Sequence, residues 1–272
     1  MSETSATALF RLRCAFVKRG RLAYLGHLEV LHTIERIVRR AGLPFAVTQG
    51  FSPHMRAAFS SALPVGTSSE AEYFDLFMTE YIEPERALAR LRACAPEDLA
   101  PYAVCYLDVR APALTAAITR VSYRIDLFFR SDAPIDASAI RRALEGLVTD
   151  GTIAYVRGKK DKVLDVARLL VSASVEQTGA DCCTLLLDTR ISNEGSLRPE
   201  ILVAALDRAL EDGPVREGPI VSTGIQDLSA FKRYSVCRTA QYAEDADGSL
   251  LSPLRTDETP AAPKSVSSVP SL

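Results

Sequence analysis

One order of elements occurs twice along this chain, and it constrains the fold more than any other feature. Residues 10 to 109 read as strand, helix, strand, strand, helix, strand, and residues 121 to 238 repeat that order. In the first half Arg11 to Lys18 alternates as a strand, and a helix follows from about Gly26 to Ala41. On a helical wheel Leu28, Val30, Leu31, Ile34, Ile37, Val38 and Ala41 share one face. Gly42-Leu43-Pro44 stops this helix, because glycine suits the position after a helix end and proline cannot continue one. Phe45 to Thr48 and Ala57 to Ala62 read as strands around a Gly50-Phe51-Ser52-Pro53-His54 loop, and Ala71 to Met78 is the next strand. Pro84 opens a second helix through Cys94, and Tyr102 to Val109 closes the unit.

The second half opens on Val121, Tyr123, Ile125, Leu127 and Phe129, which alternate with polar residues as a strand does. Ile140, Ala143, Leu144, Leu147 and Val148 form a helical stripe. Strands are expected at Thr152 to Val156, around Val163 to Leu170 and at Thr184 to Asp188. Pro199 opens another helix, and a last strand is expected near Tyr234 to Arg238. The order predicts an α+β chain of tandem ferredoxin-like (βαββαβ) units with antiparallel sheets. Their expected bounds are 8–112 and 117–240, with the joint at Pro112 to Ala117. From 241 to 272 prolines are interleaved with Ser, Thr, Asp and Glu. Such a segment buries too little apolar surface to offset its ordering entropy, so a disordered tail is expected.

At 47% hydrophobic and 24% charged residues the composition is that of a soluble globular protein. No apolar run approaches the ~18 residues of a membrane helix. Met1 to Ala8 lacks the apolar core of a secretion signal, and the six cysteines show no CxxC spacing. Reduced thiols, a cytoplasmic location, no membrane partner, no metal site and no cofactor of the chain's own are therefore expected.

Charge is sorted along the sequence. Between residues 11 and 56 stand Arg11, Arg13, Lys18, Arg19, Arg21, Arg36, Arg39, Arg40 and Arg56, against Glu29 and Glu35 alone. This local charge of +7 contrasts with −2 for the whole chain, and it points to an anionic partner. Arg36, Arg39 and Arg40 read either as a solvated helix face or, with the Lys18-Arg19-Gly20-Arg21 turn before them, as a phosphate-binding face. Lys160 lies in a charged hairpin turn, which by itself reads as solvated.

All three histidines fall in the same stretch: His27, His32 and His54. His27 begins a helix, where it either edges the core or looks into a pocket. His32 reads as a surface residue. His54 and Arg56 project from the Gly50 loop, whose Phe51 plugs the core or, less expectedly, stacks on a base. Glu70 and Glu72 share one face of their strand, while Asp75 points the other way. A carboxylate near His27 or His54 would orient an imidazole.

Several motifs occur together: Lys18-x-Gly20, Leu25-Gly26-His27-Leu28-Glu29, Arg39-Arg40-Ala41-Gly42-Leu43-Pro44, Gly50-Phe51-Ser52-Pro53-His54, Leu63-Pro64-Val65-Gly66 and Glu70-Ala71-Glu72-Tyr73. In these the chain resembles the uncharacterised bacterial radical SAM-associated (radical SAM-linked) protein family, a domain of unknown function. The resemblance is dense over residues 10 to 80. Farther on, Lys160, Asp165 and Leu197-Arg198-Pro199 also fit. Gly26-His27-Leu28-Glu29 stands where members more often have Ser-His-Leu-Asp, so a hydroxyl cap is replaced. The resemblance implies a radical SAM partner, since this sequence has no CxxxCxxC to hold a cluster itself.

Two functions follow as expectations. The first is an accessory binding subunit for a radical SAM enzyme, presenting the basic face (Arg36, Arg39, Arg40, Arg56, with Lys160) and a His27/His54/Glu72 pocket to a substrate, RNA. The second is a metal-independent endoribonuclease resembling, at the level of fold, CRISPR-type repeat-processing enzymes. In that reading His27 and His54 act as acid and base on a ribose hydroxyl, and Lys18 stabilises the phosphorane. A metal site of His27, His54 and Glu72 ranks last, because their spacing matches no metal motif.

Overall fold

In the computed structural model, which describes residues 9–130, 136–192, 195–211, 218–222 and 227–254, strand β1 (Phe10–Lys18) is buried on both faces. That burial makes it the centre of the first of two compact units, formed among the described residues by 9–118 with 241–254. The unit continues with α1 (His27–Arg40), β2 (Ala57–Phe59), β3 (Ser68–Met78), α2 (Pro84–Cys94), β4 (Pro101–Leu107) and a short α3 (Leu114–Ala117). β1 pairs antiparallel with β3 and β4, and β2 pairs antiparallel with β3, giving the order β4-β1-β3-β2. The expected succession of elements is thus present in this half.

Alternation explains the core. Leu12, Cys14 and Phe16 of β1 and Phe74, Leu76 and Met78 of β3 share one cluster with Val30, Ile34, Ile37 and Val38 of α1 and Ala87 and Leu91 of α2. Each fully buried side chain of this size contributes ~1.5–3 kcal/mol. The start of α1 has half a capping box: the Glu29 carboxylate accepts from the Gly26 N–H at 2.7 Å. Its end is Ala41, followed by Gly42 at φ +61°. The expected strand Phe45–Thr48 is reduced to isolated bridges, Phe45 to Met78 and Val47 to Met55.

The second unit, residues 119–240, holds β5 (Arg120–Phe129), α4 (Ala137–Asp150), β6 (Thr152–Arg157), β7 (Lys160–Asp165), α5 (Val166–Leu169), β8 (Leu170–Gly179), β9 (Cys182–Ser192), β10 (Gly195–Ser196), α6 (Pro199–Ala209) and β11 (Ile220–Val221). It also holds most of β12 (Phe231–Glu244). β9 pairs antiparallel with β5, β8 and β10. The strand expected around Val163 to Leu170 is instead broken at α5. β6 and β7 form a hairpin in a separate sheet, where β6 takes β11 in parallel. Asp136 caps α4 by accepting from the Ala139 N–H at 2.7 Å.

The expected tail begins too early at 241. Residues from Gln241 onward finish β12 and pair with β13 (Leu250–Leu251), and Gln241 is buried. A proline-rich segment can be ordered where a sheet and buried donors hold its backbone, and Arg13 does this at the Pro253 carbonyl, 3.0 Å away. The rest of that tail lies outside the described residues. The fold is mixed α+β with mostly antiparallel sheets. Among the described residues no helix is long and apolar enough to cross a membrane.

Candidate functional site

The end of β1 places a cation inside the first unit. A register shift between Phe16 and Lys18 brings Lys18 opposite Ser69 of β3. Lys18 is only 2% exposed. Its ammonium donates to the Ala23 carbonyl at 2.8 Å and lies 3.5 Å from the Thr67 carbonyl. Buried Glu72 accepts from the Ser69 hydroxyl at 2.7 Å, with Gln241 Nε2 at 3.5 Å. Lys18, Glu72 and His27 line one cavity of ≈ 20 Å³ with Phe59, Ser60 and Ser61. That space fits one water among polar groups.

His27 is exposed at the first turn of α1, and its ring meets Phe59 edge-on at 6.1 Å. The elements therefore bring His27, Lys18 and Glu72 together. His54 is placed differently. It lies on the exposed turn after Gly50, where its backbone N–H donates to Thr48 Oγ1 at 3.0 Å and its Nε2 lies 3.3 Å from Ser52 Oγ. The cavity lining does not include it. Phe51, expected to plug the core, is fully exposed at the same tip, because the turn holds it away from any packing surface. Among the described residues no three His, Cys, Asp or Glu side chains converge to hold a metal ion, so His27, His54 and Glu72 form no such set.

The basic segment divides in two. Arg11, Arg13 and Lys18 are buried, which corrects the +7 expectation for the surface. Arg11 and Arg13 point to the face of β1 opposite the helices, where both bond to Asp75 at 2.6–3.0 Å. Arg19, Arg21, Arg36, Arg39, Arg40 and Arg56 are exposed, without an ion-pair partner among the described residues. Arg39 stacks on Phe45 at 5.1 Å and Arg56 on Phe77 at 4.3 Å, which pre-orders both guanidinium groups. Lys160 is exposed at the β6–β7 turn of the second unit.

Sequence reasoning missed the groups that complete the pocket. Ser69 and Gln241 tie Glu72 in place, and Gln241 also donates to Ser60 Oγ at 3.4 Å and to the Ala71 carbonyl at 2.5 Å. Gln241 is 169 residues from Glu72, so no local signal could have paired them. Beside them burial pushes the Tyr73 hydroxyl well above its ordinary range, and burial raises Tyr102 as well. Both stay neutral phenols at physiological pH.

Gly20 fixes the turn before α1. It has φ +51°, and a Cβ there would come within 2.2 Å of Asp98 Oδ2. Gly20→Ala is expected to lower stability by about 1–2 kcal/mol, the cost of forcing an L side chain into this region. Urea unfolding followed by circular dichroism measures it; an unchanged midpoint would contradict the close approach.

Among curated proteins no match is found. Solved structures to which this chain shows similarity include a Cbf5–Nop10–Gar1 complex, at 10% identity and a TM-score of 0.45 over 86% of this chain. Another is an H/ACA RNP bound to a substrate RNA containing 2′-deoxyuridine, at 11% identity and 0.42 over 87%. A third, an unknown protein from Galdieria sulphuraria, aligns at 9% identity and 0.25, over 74% of this chain and 92% of its own. The chain spans 50% and 49% of the first two. The model of the uncharacterised proteins conserved in bacteria (DUF2344) matches residues 11–199, and the chain belongs to that family.

Proposed function

We propose that this chain is a binding subunit that presents RNA to a separate radical SAM enzyme. The observation that carries the RNA part is the segregation of cations in the first unit. Six guanidinium groups are exposed and lack ion-pair partners among the described residues. Of the two carboxylates in the segment, Glu29 is engaged at the helix start. Planar guanidinium forks match phosphate oxygens, and binding them releases condensed counterions. The radical SAM partner is supported by the motif resemblance over residues 10 to 80. The cytoplasm suits such a partnership.

We propose further that both units are ferredoxin-like. Strand order β4-β1-β3-β2 in one unit and β8-β9-β5-β12 in the other supports two ferredoxin-like units, the β6–β7 hairpin being an insertion in the second. His27, at the mouth of the Lys18/Glu72 cavity, is then the group that meets the substrate, while Lys18 holds the pocket together from within.

Fluorescence anisotropy with labelled oligouridylate tests the binding. Arg36→Ala, Arg39→Ala and Arg40→Ala together should weaken it at low salt. His27→Ala should leave the salt dependence unchanged, because the phosphate contacts are assigned to the arginines. Equal affinity of wild type and the triple variant at low salt would leave these arginines a solvated helix face.

A further inference from the structure

We infer that the 3₁₀ turn Gly20–Tyr24 is a nucleotide grip, in which Tyr24 stacks on an unpaired base and Arg21 takes a phosphate of single-stranded RNA. The inference rests on the RNA reading above and deepens it by naming the form of the RNA and where a base is held. Side chains three apart in a 3₁₀ helix eclipse one another, so Arg21 and Tyr24 stand on one face of the turn. Tyr24 is 70% exposed, and Arg21 and the preceding Arg19 are exposed without ion-pair partners among the described residues.

The ring is mounted rather than loose. Gly66, at φ +85°, lies beside it: a Cβ there would sit 3.7 Å from Tyr24 Cε1, at ordinary van der Waals contact. The Gly66 N–H donates to the Ala23 carbonyl at 3.0 Å, the same carbonyl that Lys18 Nζ reaches at 2.8 Å. A buried cation and a loop thus pin the residue before Tyr24 from beneath. Exposed Leu28 of α1 and Val65 of the same loop as Gly66 add apolar surface on neighbouring segments. Pre-ordering an exposed ring lowers the entropy lost when something stacks on it.

An exposed tyrosine alone would suit any apolar partner. Cations on the same turn select a polyanion that also offers flat π faces. Single-stranded nucleic acid has both, whereas a duplex keeps its base faces stacked inside. Tyr24 then supplies affinity that salt does not screen, and Arg21 supplies affinity that salt does.

The chain has no tryptophan, so Tyr24→Trp creates a single fluorescent reporter. Labelled oligoadenylate and heparin, a polyanion without bases, serve as probes for the full chain. Oligoadenylate should quench the tryptophan of Tyr24→Trp, and heparin should not. Tyr24→Ala should weaken oligoadenylate binding roughly 5- to 100-fold, the span of one base–aromatic stack, with the salt slope and heparin affinity unchanged. Arg21→Ala should make the slope shallower by about 0.7. A thermal midpoint equal to wild type shows that the fold is intact. Unaltered oligoadenylate binding by Tyr24→Ala, or equal loss for both probes, would overturn the grip while the cationic reading stands. So would a Tyr24→Ala variant that loses only a protein partner. Wild type binding neither probe would overturn the RNA reading, and the grip with it.

Discussion

Asp75→Asn should destabilise the first unit by about 3–5 kcal/mol, the usual cost of stripping the partner from a buried charge. Asp75 is fully buried, and its two oxygens accept from Arg11 Nε and Nη2 and from Arg13 Nε and Nη2. Asparagine keeps the shape but leaves two guanidinium groups in the interior with no counter-charge. The loss spreads beyond the sheet. Arg11 also donates to the Ala111 and Pro112 carbonyls, and Arg13 to the Pro253 carbonyl. These bonds hold the segment after β4 and the returning C-terminal segment. Replacing all three charged residues by apolar ones of similar volume should cost less than the single change. Urea unfolding monitored by circular dichroism distinguishes the cases. A single-variant loss under about 1 kcal/mol would mean that water reaches the cluster.

Asp207→Ala should cost the second unit about 3–5 kcal/mol, because three backbone donors lose one acceptor at once. Asp207 of α6 is fully buried and accepts from the N–H groups of Ser229 at 2.9 Å, Ala230 at 2.9 Å and Phe231 at 3.0 Å. This carboxylate therefore fixes where β12 begins. Asp207→Asn retains one oxygen and should fall between wild type and alanine, since it loses the charge-assisted character of the bonds. Hydrogen exchange at the three amides gives a local reading. Exchange rates unchanged in Asp207→Ala would contradict the assignment.

Local periodicity carried much of the fold. The apolar stripe of α1 and the alternation of β5 are dense enough to read directly, and Gly42-Leu43-Pro44 marks a real helix end. Other features depend on partners far away in sequence. Alternation marks β6 as a strand, but the charged run at Lys160 reads as a turn although β7 begins there, and nothing local says that both leave the main sheet to join β11. The pocket shows the same division. His27, Lys18 and Glu72 were assembled from motif proximity, whereas Gln241 arrives from a distant strand.

The misjudged charges are instructive. Arg11 and Arg13 were counted as surface because arginine usually is. Their alternation with Leu12 and Cys14 carried the missing hint, for a central strand is buried on both faces. In the β1–β3 register Arg13 lies directly opposite Asp75, so the pair becomes legible once the pairing is assumed. Phe51 was misread for the opposite reason. An aromatic residue in a Gly-Pro turn has no periodic context, and only the geometry of the turn decides its exposure.

The central claim is that exposed arginines of the first unit bind RNA phosphates, and a salt titration of oligouridylate binding tests it most directly. Each phosphate contact with a single strand contributes a slope of about −0.7 in log K against log salt. Removing Arg36, Arg39 and Arg40 together should make the slope shallower by about 2 and weaken binding most at low salt. Identical slopes and affinities for wild type and the triple variant would contradict the claim.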